Sequence, residues 1–261
     1  MRSPSKMMDR NKHLHPEPLR VLVTGATSGV GEATAKLFAR RGARVAVLGR
    51  RPLELRRVAE EINGDTYEVV TDVADAGSAR NGVRSAIHAL GGLDVAVNAA
   101  GVAGFAALED LDEHRWAEVL DTNLSGTFYV AREAALHMRR SGGGAIVNVA
   151  SDLAAMGAAG LAHYCAAKAG VVGLTRALAL ELAPRVRVNA VCPGPIDTPM
   201  LRSGLDSEPD PLLALQQKES TVPLNRLADP DEVAAAIYFL AVDGTFATGT
   251  SMAFDGGTSA A

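Results

Sequence analysis

One short stretch constrains this chain more than any other: Thr24-Gly25-Ala26-Thr27-Ser28-Gly29-Val30-Gly31. It follows an apolar, β-branched run at 19–23 and precedes an amphipathic run at 30–41, which Gly42 is placed to close. Three glycines at this spacing let the backbone turn sharply and come close to a ligand. The helix that follows begins with unpaired N–H groups and the positive end of a dipole, a natural seat for phosphate. Such a turn can also serve packing alone. Its position after the first strand of a β-α-β unit favours a dinucleotide, with Gly25, Thr27, Ser28, Gly29, Val30 and Gly31 as the expected contacts.

The rest of the chain repeats the alternation that the turn begins. Short apolar strands are expected at 44–48, 67–71, 93–97, 145–149, 187–191 and 251–254. Helices are expected between them at 53–62, 78–90, 113–120, 127–140, 163–182 and 231–241. Pro193, Pro195 and Pro199 interrupt the pattern, so 193–225 reads as a loop with one short helix. Alternating strands and helices imply a parallel sheet covered on both faces, a doubly wound α/β fold with its ligand at the carboxyl ends of the strands. The expected organisation is a tail over 1–18 and one Rossmann-type domain over 19–261, with 193–225 as its substrate loop.

Composition narrows the partners. A net charge of −4 without a basic stripe argues against nucleic acid, and no apolar run is long enough to span a bilayer. Cys165 and Cys192 form no C-x-x-C pair and the start lacks an apolar signal core, which points to reduced thiols in a cytoplasmic protein. No metal site is expected; His13 and His15 in the tail read as solvated.

Tyr164 and Lys168 lie four positions apart on one expected helix, which places them on the same face. A free phenol has a pKa of about 10 and is a poor base at neutral pH. A nearby ammonium would lower that value, and the tuned phenol could then exchange a proton with an alcohol as hydride moves.

Together the T-G-x-x-x-G-x-G turn and the Y-x-x-x-K pair resemble the short-chain dehydrogenase/reductase family, whose pattern can be laid over 19–258. The resemblance implies a seven-stranded parallel sheet, bound NAD(H) or NADP(H), and a homo-oligomer, in the family a homotetramer. Ser151 stands thirteen positions before Tyr164, the family's spacing, and would hold the substrate oxygen. Asn123 resembles the family's helix asparagine, which orders a water that relays protons to the lysine. Asn123, Ser151, Tyr164 and Lys168 are thus the candidate catalytic set, and Tyr164 and Lys168 would also contact the cofactor.

The same resemblance implies further cofactor contacts. Asp72-Val73 would abut the adenine; Asn98, Ala99 and Gly101 match the family's N-N-A-G segment with Ala99 in place of its second Asn. Pro193, Gly194, Ile196 and Thr198 match its P-G-x-x-x-T, where Ile196 backbone and Thr198 hydroxyl would meet the nicotinamide carboxamide. Phe254-Asp255-Gly256-Gly257 resembles its closing V-D-G-G, read as structural. The second strand ends Leu48-Gly49-Arg50-Arg51, with no carboxylate to accept from the ribose and with Arg50 placed for a 2′-phosphate, so NADP(H) is favoured over NAD(H). Ser28 is not basic, and either arginine could simply be a solvated charge.

His163 and Cys165 are expected to pack, whereas Asp152 could contact substrate or cap a turn. The expected activity is interconversion of a secondary alcohol and a ketone, of an uncharged and moderately lipophilic kind. A binding protein that keeps the fold without the chemistry is the alternative, although such relatives usually lose the tyrosine or the lysine. A dehydratase or epimerase fits less well, since those relatives carry a longer substrate domain.

Overall fold

A computed structural model describes residues 17–62 and 64–260. Apart from Glu17 and Pro18, the tail expected over 1–18, with His13 and His15, lies outside the described residues. Seven parallel strands are hydrogen-bonded in the order β3-β2-β1-β4-β5-β6-β7. They are β1 (Arg20–Thr24), β2 (Arg44–Gly49), β3 (Thr66–Val70), β4 (Val95–Asn98), β5 (Gly144–Val149), β6 (Val186–Pro193) and β7 (Ser251–Phe254). The order reverses between β1 and β4, which opens a crevice at the carboxyl ends there.

Period-two alternation explains why both faces are covered. On β1, Val21 and Val23 point to one side and Leu22 to the other, all fully buried. The valines pack with Phe38 of α1 (Gly29–Arg40), Leu55 and Val58 of α2 (Pro52–Ile62), and Val233 and Ile237 of α9 (Pro230–Tyr238). Leu22 packs on the other face with Val83 of α3 (Ala76–Leu90), Val130 and Met138 of α5 (Gly126–Met138), and Ala179 of α6 (Ala162–Leu182). Each fully buried aliphatic side chain stabilises the fold by about 1.5–3 kcal/mol, more than an exposed ion pair at about 0–1 kcal/mol. The two apolar layers therefore hold the strand ends in place.

Two segments differ from the reading of the sequence. The helices expected at 113–120 and 127–140 are nearly continuous: α4 (Glu113–Leu120) runs through a π turn at Asp121–Ser125 into α5. The π turn absorbs an extra residue and carries Asn123. Within 193–225 there are two short helices, not one: α7 (Pro199–Leu205) and α8 (Pro211–Ser220). Each starts with proline at its first position behind a polar cap. Thr198 Oγ1 accepts from Leu201 N and Asp210 Oδ1 from Leu213 N. Proline there needs no N–H partner and already has helical φ, so Thr-Pro and Asp-Pro began helices where the proline count alone suggested loop.

Candidate active site

The register sets the site. Thr24 pairs with Asn98, and Asn98 with Asn148, so β1, β4 and β5 end almost level. Thr24 Oγ1 accepts from the N–H groups of Ala99 and Ala100, both at 3.2 Å, locking the β4 exit against the β1 exit. Gly25 sits at φ +65°, and a Cβ there would lie 2.6 Å from Ala100 Cα. A Cβ on Gly31 would overlap the Gly25 carbonyl. Only glycine permits this turn. Ser28, the N-cap of α1, makes no side-chain capping bond, so no capping side chain satisfies the first N–H groups of the helix.

A cleft of about 300 Å³ runs along these strand ends. Its floor includes Gly25, Thr27, Ser28, Gly29, Val30 and Gly31. Asp72, Val73, Ala99 and Gly101 line its middle, and Pro193, Gly194, Ile196 and Thr198 its far side. Gly194 is tight for a reason visible elsewhere: a Cβ there would meet Asp255 Cα at 2.9 Å, so the closing Asp255-Gly256 segment backs this wall. Gly29 and Thr198 also approach each other, with 3.0 Å between a Cβ on the glycine and Thr198 Cγ2. The glycine turn, the naked helix start and a facing loop fit a pyrophosphate.

At the β2 end, Arg50 lines the cleft, is exposed, and makes no ion pair among the described residues. Its neighbours are committed. Arg51 Nη2 donates to Thr27 Oγ1 at 2.8 Å, and Arg57 is tied to Glu32, Glu54 and Glu61. Asp72 Oδ1 accepts from Ala74 N at 3.0 Å, which fixes its carboxylate at the β3 exit.

Two expected contacts sit differently. Asn98 is buried and does not line the cleft; its Nδ2 donates to Asn148 Oδ1 at 2.9 Å, stitching β4 to β5. Asn123 is also set back from the wall. Its Oδ1 accepts from Val102 N and its Nδ2 donates to Val102 O, both at 2.8 Å. Both polar atoms of the amide help hold the loop after β4, beside Gly101. Its backbone carbonyl accepts from Thr127 Oγ1 at 2.7 Å.

Ser151, Tyr164 and Lys168 come together at the β5 exit and all line the cleft. Tyr164 and Lys168 share one face of α6, with Nζ 5.5 Å from the ring centroid. Lys168 Nζ donates to the Val149 carbonyl at 2.8 Å. Burial pushes the ammonium down to about 8. Burial also pushes the Tyr164 phenol up to about 12; Ser151's hydrogen bond pulls it back and the Asp152 charge raises it further. Desolvation of the ring oxygen is the largest influence on this phenol, in the direction opposite to the lowering expected from Lys168. Ser151 Oγ donates to Asp152 Oδ1 at 2.8 Å, and both oxygens accept from Leu153 N. His163 is buried beside this group, and Cys192 lies beneath it with its thiol pushed up by burial.

Sequence reasoning passed over Thr122 and Val149, which also line the cleft, and the Arg51–Thr27 bond; Met200, in the expected substrate loop, lines it too. Val149 could have been found, since it ends β5 two residues before Ser151. Thr122 could not, because the π turn that presents it leaves no mark in the residue pattern. Among the described residues no group of His, Cys, Asp and Glu could hold a metal, and no helix is long and apolar enough to cross a membrane.

Comparison with known proteins places the chain. The profile of the enoyl-(acyl carrier protein) reductase family matches residues 25–259. A cis-4-hydroxycyclohexanecarboxylate dehydrogenase of Sinomonas cyclohexanicum is 42% identical, over 92% of this chain and 96% of its own. A 3-oxoacyl-[acyl-carrier-protein] reductase of Thermotoga maritima is 39% identical, over 90% and 96%. The structure of an actinorhodin polyketide ketoreductase with NADPH superposes with a TM-score of 0.89 at 34% identity, over 93% of this chain and 97% of that one. With the cleft, the sheet order and these matches in agreement, the chain belongs to the short-chain dehydrogenase/reductase family, NAD(P)-dependent oxidoreductases acting on CH–OH and carbonyl groups.

Proposed function

We propose that this protein interconverts an uncharged secondary alcohol and its ketone, with Ser151, Tyr164 and Lys168 as the reacting set and Asn123 as their support. The observation that carries this reading is the convergence of those three side chains on one end of the cleft. NAD(P), when bound, supplies or accepts the hydride at the carbinol carbon. Tyr164 takes the alcohol proton as the C–H pair leaves, or returns it when a carbonyl is reduced. Lys168, pinned to the Val149 carbonyl, holds a positive charge on the same helix face as the phenol and favours its ionised form. Ser151 keeps the substrate oxygen beside the phenol. Asn123 holds the Val102 segment, and with it Gly101, at the cleft wall.

Residues 19–261 act in this reading as one dinucleotide-binding domain. Arg50, without an ion pair among the described residues, supports a preference for NADP(H) through its 2′-phosphate, and Gly25 to Gly31, Asp72, Val73, Ala99, Gly101, Pro193, Gly194, Ile196 and Thr198 surround the rest of the cofactor. Asn98 supports the site from behind, through Asn148. Met200 leaves apolar surface at the cleft wall, which suits a lipophilic substrate. Exposed Trp116, Phe128 and Leu180 on α4, α5 and α6 support a homo-oligomer, a tetramer in this family's habit, working in the cytoplasm.

The test is reduced-nicotinamide absorbance with NAD and NADP separately, over cyclohexanol/cyclohexanone, 2-octanol/2-octanone and ethyl 3-hydroxybutyrate/ethyl acetoacetate. Turnover with a preference for NADP is expected. A strong NAD preference would overturn the role of Arg50. Tight cofactor binding with no turnover of any pair would favour a non-catalytic binding protein.

A further inference from the structure

The other buried threonines of the helices share a habit that Thr122 breaks. Thr34, Thr127 and Thr175 each donate from Oγ1 to the carbonyl four residues earlier, at 2.6, 2.7 and 2.8 Å. A hydroxyl taken out of water is costly without such a partner. Thr122 is only 6% exposed and lines the cleft, yet its hydroxyl makes no hydrogen bond among the described residues. The π turn at Asp121–Ser125 is the physical reason. There the Gly126 N–H reaches back five residues to the Asp121 carbonyl, so the turn is wider than an α-helical one. The Glu118 carbonyl, which a back bond from Thr122 would use, is already reached by the Asp121 N–H.

Neighbouring residues say which part of the cleft Thr122 meets. Gly101 marks the lysine end: a Cβ there would stand 3.2 Å from Asn123 Oδ1 and 3.8 Å from Lys168 Nζ. Thr122 and Gly126 lie one turn apart on a different side of the helix from Asn123. Gly126 presses on Val73, where an added Cβ would stand 2.9 Å from the Val73 carbonyl oxygen. Thr122 therefore belongs to the Val73 side of the cleft. We infer that the Thr122 hydroxyl is a hydrogen-bond ligand of the adenosine half of the dinucleotide. This rests on the reading above that surrounds the cofactor with Asp72 and Val73. The hydroxyl keeps one proton to donate and two lone pairs to accept. It can meet a ring nitrogen, an exocyclic amine or a ribose hydroxyl, so the cofactor offers the partner that the helix withholds.

The experiment compares wild type, Thr122→Val and Thr122→Ser in two measurements. Titration calorimetry gives Kd for NADP and for ADP, a probe of the adenosine half alone. Thermal melts without cofactor give stability. Valine keeps the shape and removes the hydroxyl, so NADP and ADP should both bind about fivefold more weakly, the worth of one neutral hydrogen bond. Thr122→Ser keeps the hydroxyl and should stay nearer wild type than Thr122→Val. Without cofactor the Thr122 hydroxyl has no bond to lose, so Thr122→Val should melt no lower than wild type. Thr175→Val is the contrast: it loses the bond from Asn148 Nδ2 and the bond to the Val171 carbonyl, and should melt lower. A structural role for the Thr122 hydroxyl would lower melting and affinity together. ADP binding left unchanged by Thr122→Val, a loss seen with NADP alone, a serine variant no better than the valine variant, or a lower melt for Thr122→Val would each overturn the inference. Wild type that bound neither NADP nor NAD would sink the reading of the cleft itself, and this inference with it.

Discussion

The two ends of the cleft are built from different material. At the cofactor end the walls are backbone: Gly25 lies against Ala100, Gly31 against the Gly25 carbonyl, and Gly194 against Asp255. At the substrate end the rim is side chain, and much of it is in water. Met200, which lines the cleft, is 48% exposed, and the two short helices α7 and α8 bury none of their residues fully. Backbone walls admit one shape and are intolerant of any added atom. Side-chain walls can be exchanged without disturbing the sheet. The contrast gives a physical reason why a common reaction can be held constant by strand ends and glycine turns while the molecule acted on is decided by loops.

Substitutions at the two ends should therefore separate cleanly. The largest effect is expected at their junction: Tyr164→Phe keeps the ring and removes the exchangeable proton, so turnover should fall about 1000-fold while cofactor Kd moves less than about twofold, read by quenching of Trp116 or by nicotinamide fluorescence. At the cofactor end, Gly31→Ala places a methyl group on the Gly25 carbonyl and should weaken cofactor binding by about thirtyfold, by titration calorimetry, with the substrate order of the panel unchanged. Arg50→Ala should cut the ratio of NADP to NAD efficiency about tenfold, leaving NAD itself untouched. At the rim, Met200→Ala should change panel KM values by only about threefold, in different directions for different alcohols, with no change in cofactor Kd. A rim variant that lost cofactor, or a Gly31 variant that reordered substrates, would break the separation.

A smaller effect concerns stability. Lys168 binds its proton less tightly folded, near 8, than an exposed lysine does, near 10.5. Between those values the unfolded chain holds more protons, so stability should rise with pH from about 8 to about 10.5. The slope approaches about 1.4 kcal/mol per pH unit at most, and Lys168→Met should flatten it in thermal melts. Tyr164 acts in the opposite sense above pH 10, where the folded state retains the phenol proton up to about 12.

Much of this was legible in the residues because it depends on short-range pattern. Short apolar runs located every strand to within about two residues, and glycine spacing located the phosphate turn. The four-residue interval placed Tyr164 and Lys168 on one face. What escaped depends on tertiary contact. Asn98 was read as a cofactor contact, but its Nδ2 turns to Asn148 at the back of the sheet while its buried Oδ1 stays without a partner among the described residues, and the Asn123 amide meets the Val102 backbone. The phenol's upward shift follows from how dry the β5 exit is, which no spacing reports. The pair of helices in 193–225 was within reach, since Thr198-Pro199 and Asp210-Pro211 are start signals, but prolines were weighed there only as breakers.

Hydride transfer at the Tyr164 end of the cleft is the claim on which the separation of the two ends depends. It is tested most directly with the panel alcohol of highest turnover, carrying deuterium at its carbinol carbon, and by mass analysis of the nicotinamide cofactor after one turnover. The account predicts that the deuterium appears on the reduced nicotinamide and that the label is absent when Tyr164→Phe replaces the wild type. Ketone formed with an unlabelled cofactor would contradict it.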